Sequence, residues 1–289
     1  MSTNSINPPI LVGTDGSTAA TEAVRWAALD AATHGAPLHI VYAIGAPMDF
    51  GPGLAFDQFD YDTYRTAGAA AVAAATETAR AAADPLRSID ITTVVAEAPP
   101  IPVLCDRSKD ARLVVVGSRG LGAFRRGLLG SVSTSVARHA HCPVAVIPDE
   151  PAPPARGPVV VGVDGSPSSA LALDLAFDEA ARRRVTLTAV LTWSEFNRYI
   201  PRHDMQQEAE ELLAESLAGY AEKYPDVAVL RLVAEARPAK RLLEAAEEAQ
   251  LLVVGSHGRG GFAGMTLGSV SQAVLHGADC PVIIARPAH

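Results

Sequence analysis

The sequence predicts an α/β protein made of two tandem, Rossmann-like, doubly wound domains. Three observations carry this. The chain repeats itself, short β-branched runs alternate with longer helical stretches, and those runs are apolar almost throughout. Strands separated by helices imply right-handed crossovers and a parallel sheet. Continuously apolar strands imply a sheet covered on both faces.

The repeat has two offsets. Ile10-Leu-Val-Gly-Thr-Asp-Gly-Ser17 returns as Val159-Val-Val-Gly-Val-Asp-Gly-Ser166, with Asp164 lying 149 residues after Asp15. Leu113-Val-Val-Val-Gly-Ser-Arg-Gly120 returns as Leu251-Leu-Val-Val-Gly-Ser-His-Gly258, with Gly255 only 138 residues after Gly117. Copy one therefore holds 11 more residues between these blocks. They are expected in Gly45 to Tyr64, which shows no helical or strand period and reads as a long loop over the site. Residues 1–148 form the first domain, 149–158 a proline-rich, semi-rigid linker, and 159–289 the second.

In copy one the elements follow in order. Strand Ile10–Thr14 leads to helix Ala19–His34 and strand Leu38–Ala43. An Ala-rich helix near Ala67–Ala83 precedes strand Ile91–Val95. Helix Ile101–Lys109, strand Leu113–Gly117, helix Ser131–His139 and strand Val144–Ile147 complete it. Copy two is expected to repeat the order.

Composition narrows the function. Of 289 residues, 48% are hydrophobic, enough for a core in each half. No apolar run reaches membrane-spanning length, and the N-terminus lacks a signal-peptide pattern, so the expected location is cytoplasmic. A net charge of -8 disfavours nucleic acid as a partner. The basic run Arg182-Arg183-Arg184 reads as the solvated end of a helix. Cys105, Cys142 and Cys280 form no zinc or disulfide pattern; Cys142 and Cys280 read as buried thiols at strand entrances. His139, His141 and Cys142 sit at a helix end and are read as structural.

In an open doubly wound sheet, ligands bind at the carboxyl ends of the strands. After the first strand stand Gly13 and Asp15, and their twins Gly162 and Asp164. Ser17 and Ser166 are expected to cap the next helix, leaving the aspartates to reach a ligand. After the fourth strand both copies fit Gly-x2-Gly-x9-Gly-Ser: Gly117 to Ser131, and Gly255 to Ser269. Such glycines let backbone N–H groups close on an anion, and Ser131 and Ser269 begin helices whose N-termini suit phosphate. Arg119, Arg125 and Arg126, or His257 and Arg259, are expected to add local positive charge. Gly117→Glu or Gly255→Glu is then expected to block phosphate entry. A Walker A loop is excluded because no Lys precedes Ser131 or Ser269. Gly258-x-Gly260-x-x-Ala263 imitates a dinucleotide fingerprint but follows the fourth strand rather than the first.

These tandem loops, the Asp-Gly-Ser turn and the closing Cys-Pro-Val strand resemble the ATP-binding class of universal stress proteins, over nearly the whole chain and most closely the two-domain actinobacterial type. The resemblance implies five parallel strands per half in the order 3-2-1-4-5, with the last strands pairing antiparallel between halves or chains. It implies ATP, with Mg²⁺ as accompanying ion, held by Gly117, Ser118, Arg119, Gly120, Leu121, Gly122, Ala123, Gly130, Ser131 and Val132 in copy one. In copy two it implies Gly255, Ser256, His257, Gly258, Arg259, Gly260, Gly261, Gly268, Ser269, Val270 and Ser271. Adenine maps to Val41 and Val190, and Glu195 offers a further hydrogen bond where copy one has Ala46. The implied function is regulation of a stress or dormancy response and of growth through the nucleotide-bound state, with a homodimer as the implied assembly. A slow Mg²⁺-dependent ATPase, with Asp15 or Asp164 orienting water, is the alternative.

Overall fold

The computed structural model describes residues 7–45, 61–120, 129–149, 157–193, 201–260 and 266–287. The first half runs β1 (Ile10–Gly13), α1 (Thr18–His34), β2 (Leu38–Ala43), α2 (Tyr61–Ala83), β3 (Ile91–Ala96), α3 (Pro100–Arg107), β4 (Leu113–Gly117), α4 (Ser131–His139) and β5 (Val144–Ile147). The second runs β6 (Val159–Val163), α5 (Pro167–Arg183), β7 (Leu187–Trp193), α6 (Arg202–Ser216), α7 (Tyr220–Lys223), β8 (Val229–Glu235), α8 (Pro238–Ala246), β9 (Leu251–Gly255), α9 (Ser269–Gly277) and β10 (Val282–Ala285).

The ten strands among the described residues join one sheet, in the order β3-β2-β1-β4-β5-β10-β9-β6-β7-β8. Each half thus has the 3-2-1-4-5 order. Pairing is parallel everywhere except between β5 and β10, where Val144, Ala145 and Val146 face Ile284, Ile283 and Val282. The antiparallel edge pairing occurs inside the chain. It satisfies the open backbone of two four-residue strands and buries every residue of both.

Strand alternation then builds two cores, each running through both halves. Ile10, Val12, Val115, Ala145, Val161, Val253 and Ile283 face α1, α2, α5 and α6. Leu11, Val114, Val144, Val146, Leu252, Val282 and Ile284 face the other way, toward α3, α4, α8 and α9. Helix α1 packs through Ala20, Ala23, Ala27 and Ala31, whose small side chains let it lie close to the strands.

Three sequence expectations change. The loop assigned to Gly45–Tyr64 is helical from Tyr61, a polar first turn ahead of the alanines in which Thr66 Oγ1 donates to the Asp62 carbonyl at 2.8 Å; residues 46–60 lie outside the described residues. The third helix ends at Arg107, and Ser108–Asp110 tightens into a 3-10 turn. The run at 182–184 is not uniformly solvated: the Arg183 side chain is only 19% exposed and bonds to Asp30 of the first half.

Repeat position also decides one backbone strain. Helix α1 ends on Gly35 at φ 62°, a left-handed conformation that glycine adopts freely. Its equivalent after α5 is Arg184, at φ 55°. A side chain there costs about 1 kcal/mol. Arg184→Gly should stabilise the protein by roughly that amount, read as a higher urea midpoint with an unchanged slope.

Candidate functional site

The carboxyl tips of β6 and β9 bring the second copy's two loops together. Asp164 Oδ1 accepts the N–H of Ser166 at 2.9 Å, and Oδ2 accepts the N–H of Arg259 at 3.1 Å. One carboxylate therefore clips the turn after the first strand to the loop after the fourth. In copy one Asp15 Oδ1 accepts the N–H of Ser17 at 2.9 Å, and Oδ2 lies against Gly120. Ser17 and Ser166 cap α1 and α5 as expected, accepting from Ala20 and Ser169, each at 3.2 Å.

The loop is closed at its base. Gly130 donates to the Ser118 carbonyl at 2.8 Å, and Gly268 to that of Ser256 at 2.7 Å. Ser271 Oγ donates to the Gly255 carbonyl at 2.6 Å, and Ser133 Oγ to that of Ser118 at 3.0 Å. Val132 and Val270 are half-buried and pack against the core. Ser131 and Ser269 stand exposed at the helix starts.

The helices that follow differ from α1 and α5 in one respect. Their N-caps are Gly130 and Gly268, which have no side chain to accept a first-turn N–H. Those donors have no partner within the helix either. A negatively charged group placed there gains both the donors and the positive end of the helix dipole.

In copy two a cavity of about 310 Å³ opens against this helix start. Asp164, Gly255, His257, Gly258, Arg259 and Gly260 form one wall, and Gly268, Ser269, Val270 and Ser271 another. Gly162, Val190, Thr192, Pro238, Leu242 and Val254 supply an apolar floor. A polar rim over an apolar floor suits a ligand with an anionic end and a flat apolar end. In copy one Val41 is buried in the core, and its carbonyl accepts the N–H of Thr14 at 2.9 Å; Gly13 sits beside Leu104, as Gly162 sits beside Leu242.

The predicted site residues divide. Leu121, Gly122, Ala123, Arg125, Arg126, Glu195 and Gly261 lie outside the described residues. Arg119 does not stand free beside the cradle. Its Nε bonds Asp149 Oδ2 at 2.6 Å, and Ser118 Oγ donates to the other oxygen at 2.8 Å. His257 Nδ1 lies 3.1 Å from Ser256 Oγ, and the Arg259 guanidinium lies across Gly165. Leu242, Pro238, Thr192, Ser133 and Ser169 were missed. The 138-residue offset was a usable signal for one of them, because Ser133 answers to Ser271. The two closing-strand thiols are buried, and burial pushes both up to about 12.

The glycines do different work. A Cβ on Gly117 would fall 2.8 Å from the Ala19 backbone, and one on Gly255 would fall 2.8 Å from that of Ser168. These two let α1 and α5 touch the strand tips, so Gly117→Glu and Gly255→Glu would disturb packing before they blocked any ligand. A Cβ on Gly258 would fall 2.6 Å from Asp164 Oδ2, whereas one on Gly260 would meet nothing within 4 Å. Gly255→Ala should therefore destabilise the protein by about 1–3 kcal/mol, the usual cost of overpacking, measured by urea denaturation.

Comparison with known proteins agrees with the geometry. The model of the universal stress protein family matches residues 7–148 and again residues 156–286. A universal stress protein of Mycobacterium tuberculosis is 46% identical over 284 residues, covering 96% of each chain. Another from that organism is 44% identical over 299 residues and covers 99% of each. The crystal structure of a universal stress protein from Archaeoglobus fulgidus matches in fold, with a TM-score of 0.72 at 21% identity over 97% of each chain. A doubly repeated α/β half, a glycine loop at the same strand tip in each and full-length relatives of one kind place this chain in the universal stress protein family, with two tandem family domains.

Proposed function

We propose that each half binds ATP at the carboxyl tip of its sheet. On this reading the protein is a cytoplasmic regulator whose nucleotide-bound state adjusts a stress or dormancy response and growth. The observation that carries the reading is the contrast in helix caps. Helices α1 and α5 have their first-turn N–H groups capped by serine, while α4 and α9 start on glycine, and α9 opens onto the cavity.

The residues fit a nucleotide. The N–H groups of Ser269 and Val270 would take a phosphate oxygen, and the 255–260 loop would close over the chain of phosphates. Hydrogen bonds to a charged acceptor contribute about 1.5–3 kcal/mol each. Val190 and Leu242 would pack against the base, and Thr192 offers a hydroxyl at the same wall. Specificity for adenine rests on the family resemblance. The sites are unequal: the copy-one loop is tied to the linker through Arg119 and Asp149, while copy two places His257 and Arg259 at the cavity. A homodimer would use surfaces other than β5 and β10, which are spent on each other.

The alternative, a slow Mg²⁺-dependent ATPase, asks Asp15 or Asp164 to hold the ion and orient water. Both oxygens of Asp164 already accept backbone N–H groups, which favours a loop-shaping role.

Gly260→Glu puts bulk and negative charge at the cradle without meeting a neighbour. Equilibrium dialysis against ATP should give two molecules per wild-type chain and one per Gly260→Glu chain, with an unchanged melting temperature. No binding at millimolar ATP would sink the reading, and unchanged stoichiometry in the variant would move the site elsewhere.

A further inference from the structure

Helices α1 and α5 meet over the β5–β10 seam, each bringing an acid and a base one turn apart. These are Asp30 and His34 on α1, and Glu179 and Arg183 on α5, equivalent at the 149-residue offset. The pairs cross between halves. Arg183 Nη2 donates to Asp30 Oδ1 at 3.0 Å, while His34 Nε2 lies 3.4 Å from Glu179 Oε1 and 3.1 Å from Asp178 Oδ2. Arg183 Nε donates to Glu179 at 2.7 Å, and its guanidinium lies 5.4 Å over the Trp26 ring. The His34 and Asp30 side chains are 0% and 1% exposed.

The hydrogen bonds constrain the imidazole. His34 Nδ1 lies 2.9 Å from the Asp30 backbone oxygen. A carbonyl only accepts, so Nδ1 carries hydrogen. Nε2 then faces two carboxylate oxygens, which also only accept. Both contacts become favourable when Nε2 carries a proton too, giving an imidazolium. Among the described residues Asp30 Oδ2 is buried and receives no hydrogen bond, and it lies 3.5 Å from Nδ1.

We propose that this cluster is a proton-operated latch between the halves: protonated His34 holds α1 to Asp178 and Glu179 of α5, and loss of its proton loosens the seam. Copy two uses a permanent cation, Arg183. Copy one uses the side chain that titrates near neutrality. The charged groups around His34 are Asp30 on its own helix, Asp178 and Glu179 on α5, and Arg112 ahead of β4. Arg182 and Arg183 stand behind the two α5 acids, bonded to them. Burial opposes the imidazolium, but the hydrogen bond to Asp178 and the charges of Asp30 and Glu179 outweigh it and raise the histidine above its usual value. Burial and then Glu179 push Asp30 up to about 7.

The signs agree. A raised histidine contributes stability that is full below about 6.5 and is lost as pH climbs through its folded value. A raised aspartate also loses stability with rising pH, from its usual acid range up to about 7. Asp178 is lowered by His34 and Arg182, despite burial, and works in the opposite sense only in acid. Donor atoms of Asp30, His34 and Glu179 lie within 4.8 Å of one another, close enough for a metal ion. Arg183 already bridges Asp30 and Glu179 as their cation, which favours the proton. The other ends of α1 and α5 touch the strand tips at Gly117 and Gly255. A link from the latch to nucleotide binding rests on the proposed function; the latch itself does not.

The full-length protein tests this by side-chain NMR of its histidines and by melting between about pH 6 and about pH 8.5. His34, identified by the signal missing in His34→Gln, should titrate above 6.5, the usual histidine value. The wild-type melting temperature should fall across the range, and His34→Gln should remove most of that fall. His34→Arg should also flatten it and keep the higher melting temperature. If the Gln variant does not fold, isotope assignment of the wild type still yields the His34 midpoint. A midpoint at or below the usual value, or parallel falls in wild type and His34→Gln, would overturn the latch. So would a Zn²⁺-induced rise in melting temperature that His34→Gln abolishes. ATP stoichiometry measured on His34→Gln separates failure of the latch from failure of the nucleotide reading.

Discussion

The pairing of β5 with β10 is the constraint from which the rest of the molecule follows. Two parallel five-stranded sheets each have one short, apolar edge that cannot face water without exposing its backbone groups. Joining them antiparallel satisfies both edges and makes one ten-stranded sheet. The direction of that pairing turns the second half end for end relative to the first while keeping α1 and α5 on the same face of the sheet. The carboxyl tips of the two sets of strands therefore point opposite ways, and the two glycine loops lie at opposite ends of the strands. The same pairing carries both cores across the seam, so each half packs on hydrophobic surface supplied by the other.

Each loop is then built by a small division of labour among polar groups. Aspartate clips two turns together through their N–H groups, serine caps the helix beside them, and a second serine two residues into the next helix ties the loop base to its strand. Among the described residues no side chain caps the start of that next helix. Its cap is glycine, which closes the loop through its own N–H but offers nothing to the first turn. The proposed anion site rests on these first-turn N–H groups, with His257 and Arg259 beside them in copy two.

Much of this is legible in the residues. The strands are legible because a sheet covered on both faces demands apolar runs, and the helix starts because Ser17 and Ser166 are good caps. The repeat offsets locate the loops, and they would also have located Ser133 from Ser271. Contacts between segments far apart in sequence are less legible. Arg119 reads as a cation for phosphate, yet Asp149 takes it. Gly117 reads as a cradle glycine, yet its missing side chain makes room for the Ala19 backbone. Arg183 reads as solvated helix end, yet it is drawn into the seam by Asp30.

The sequence by itself determined that there are two α/β units of one kind, with matched glycine loops after the first and fourth strands. Local pattern suffices for that, since period, caps and turns depend on residues a few places apart. Only the tertiary structure decided that the last strands pair within one chain, which glycines serve packing and which face open space, and that Asp30, His34, Glu179 and Arg183 meet. Those outcomes depend on how the two halves are turned against each other, a geometry set by the antiparallel β5–β10 register.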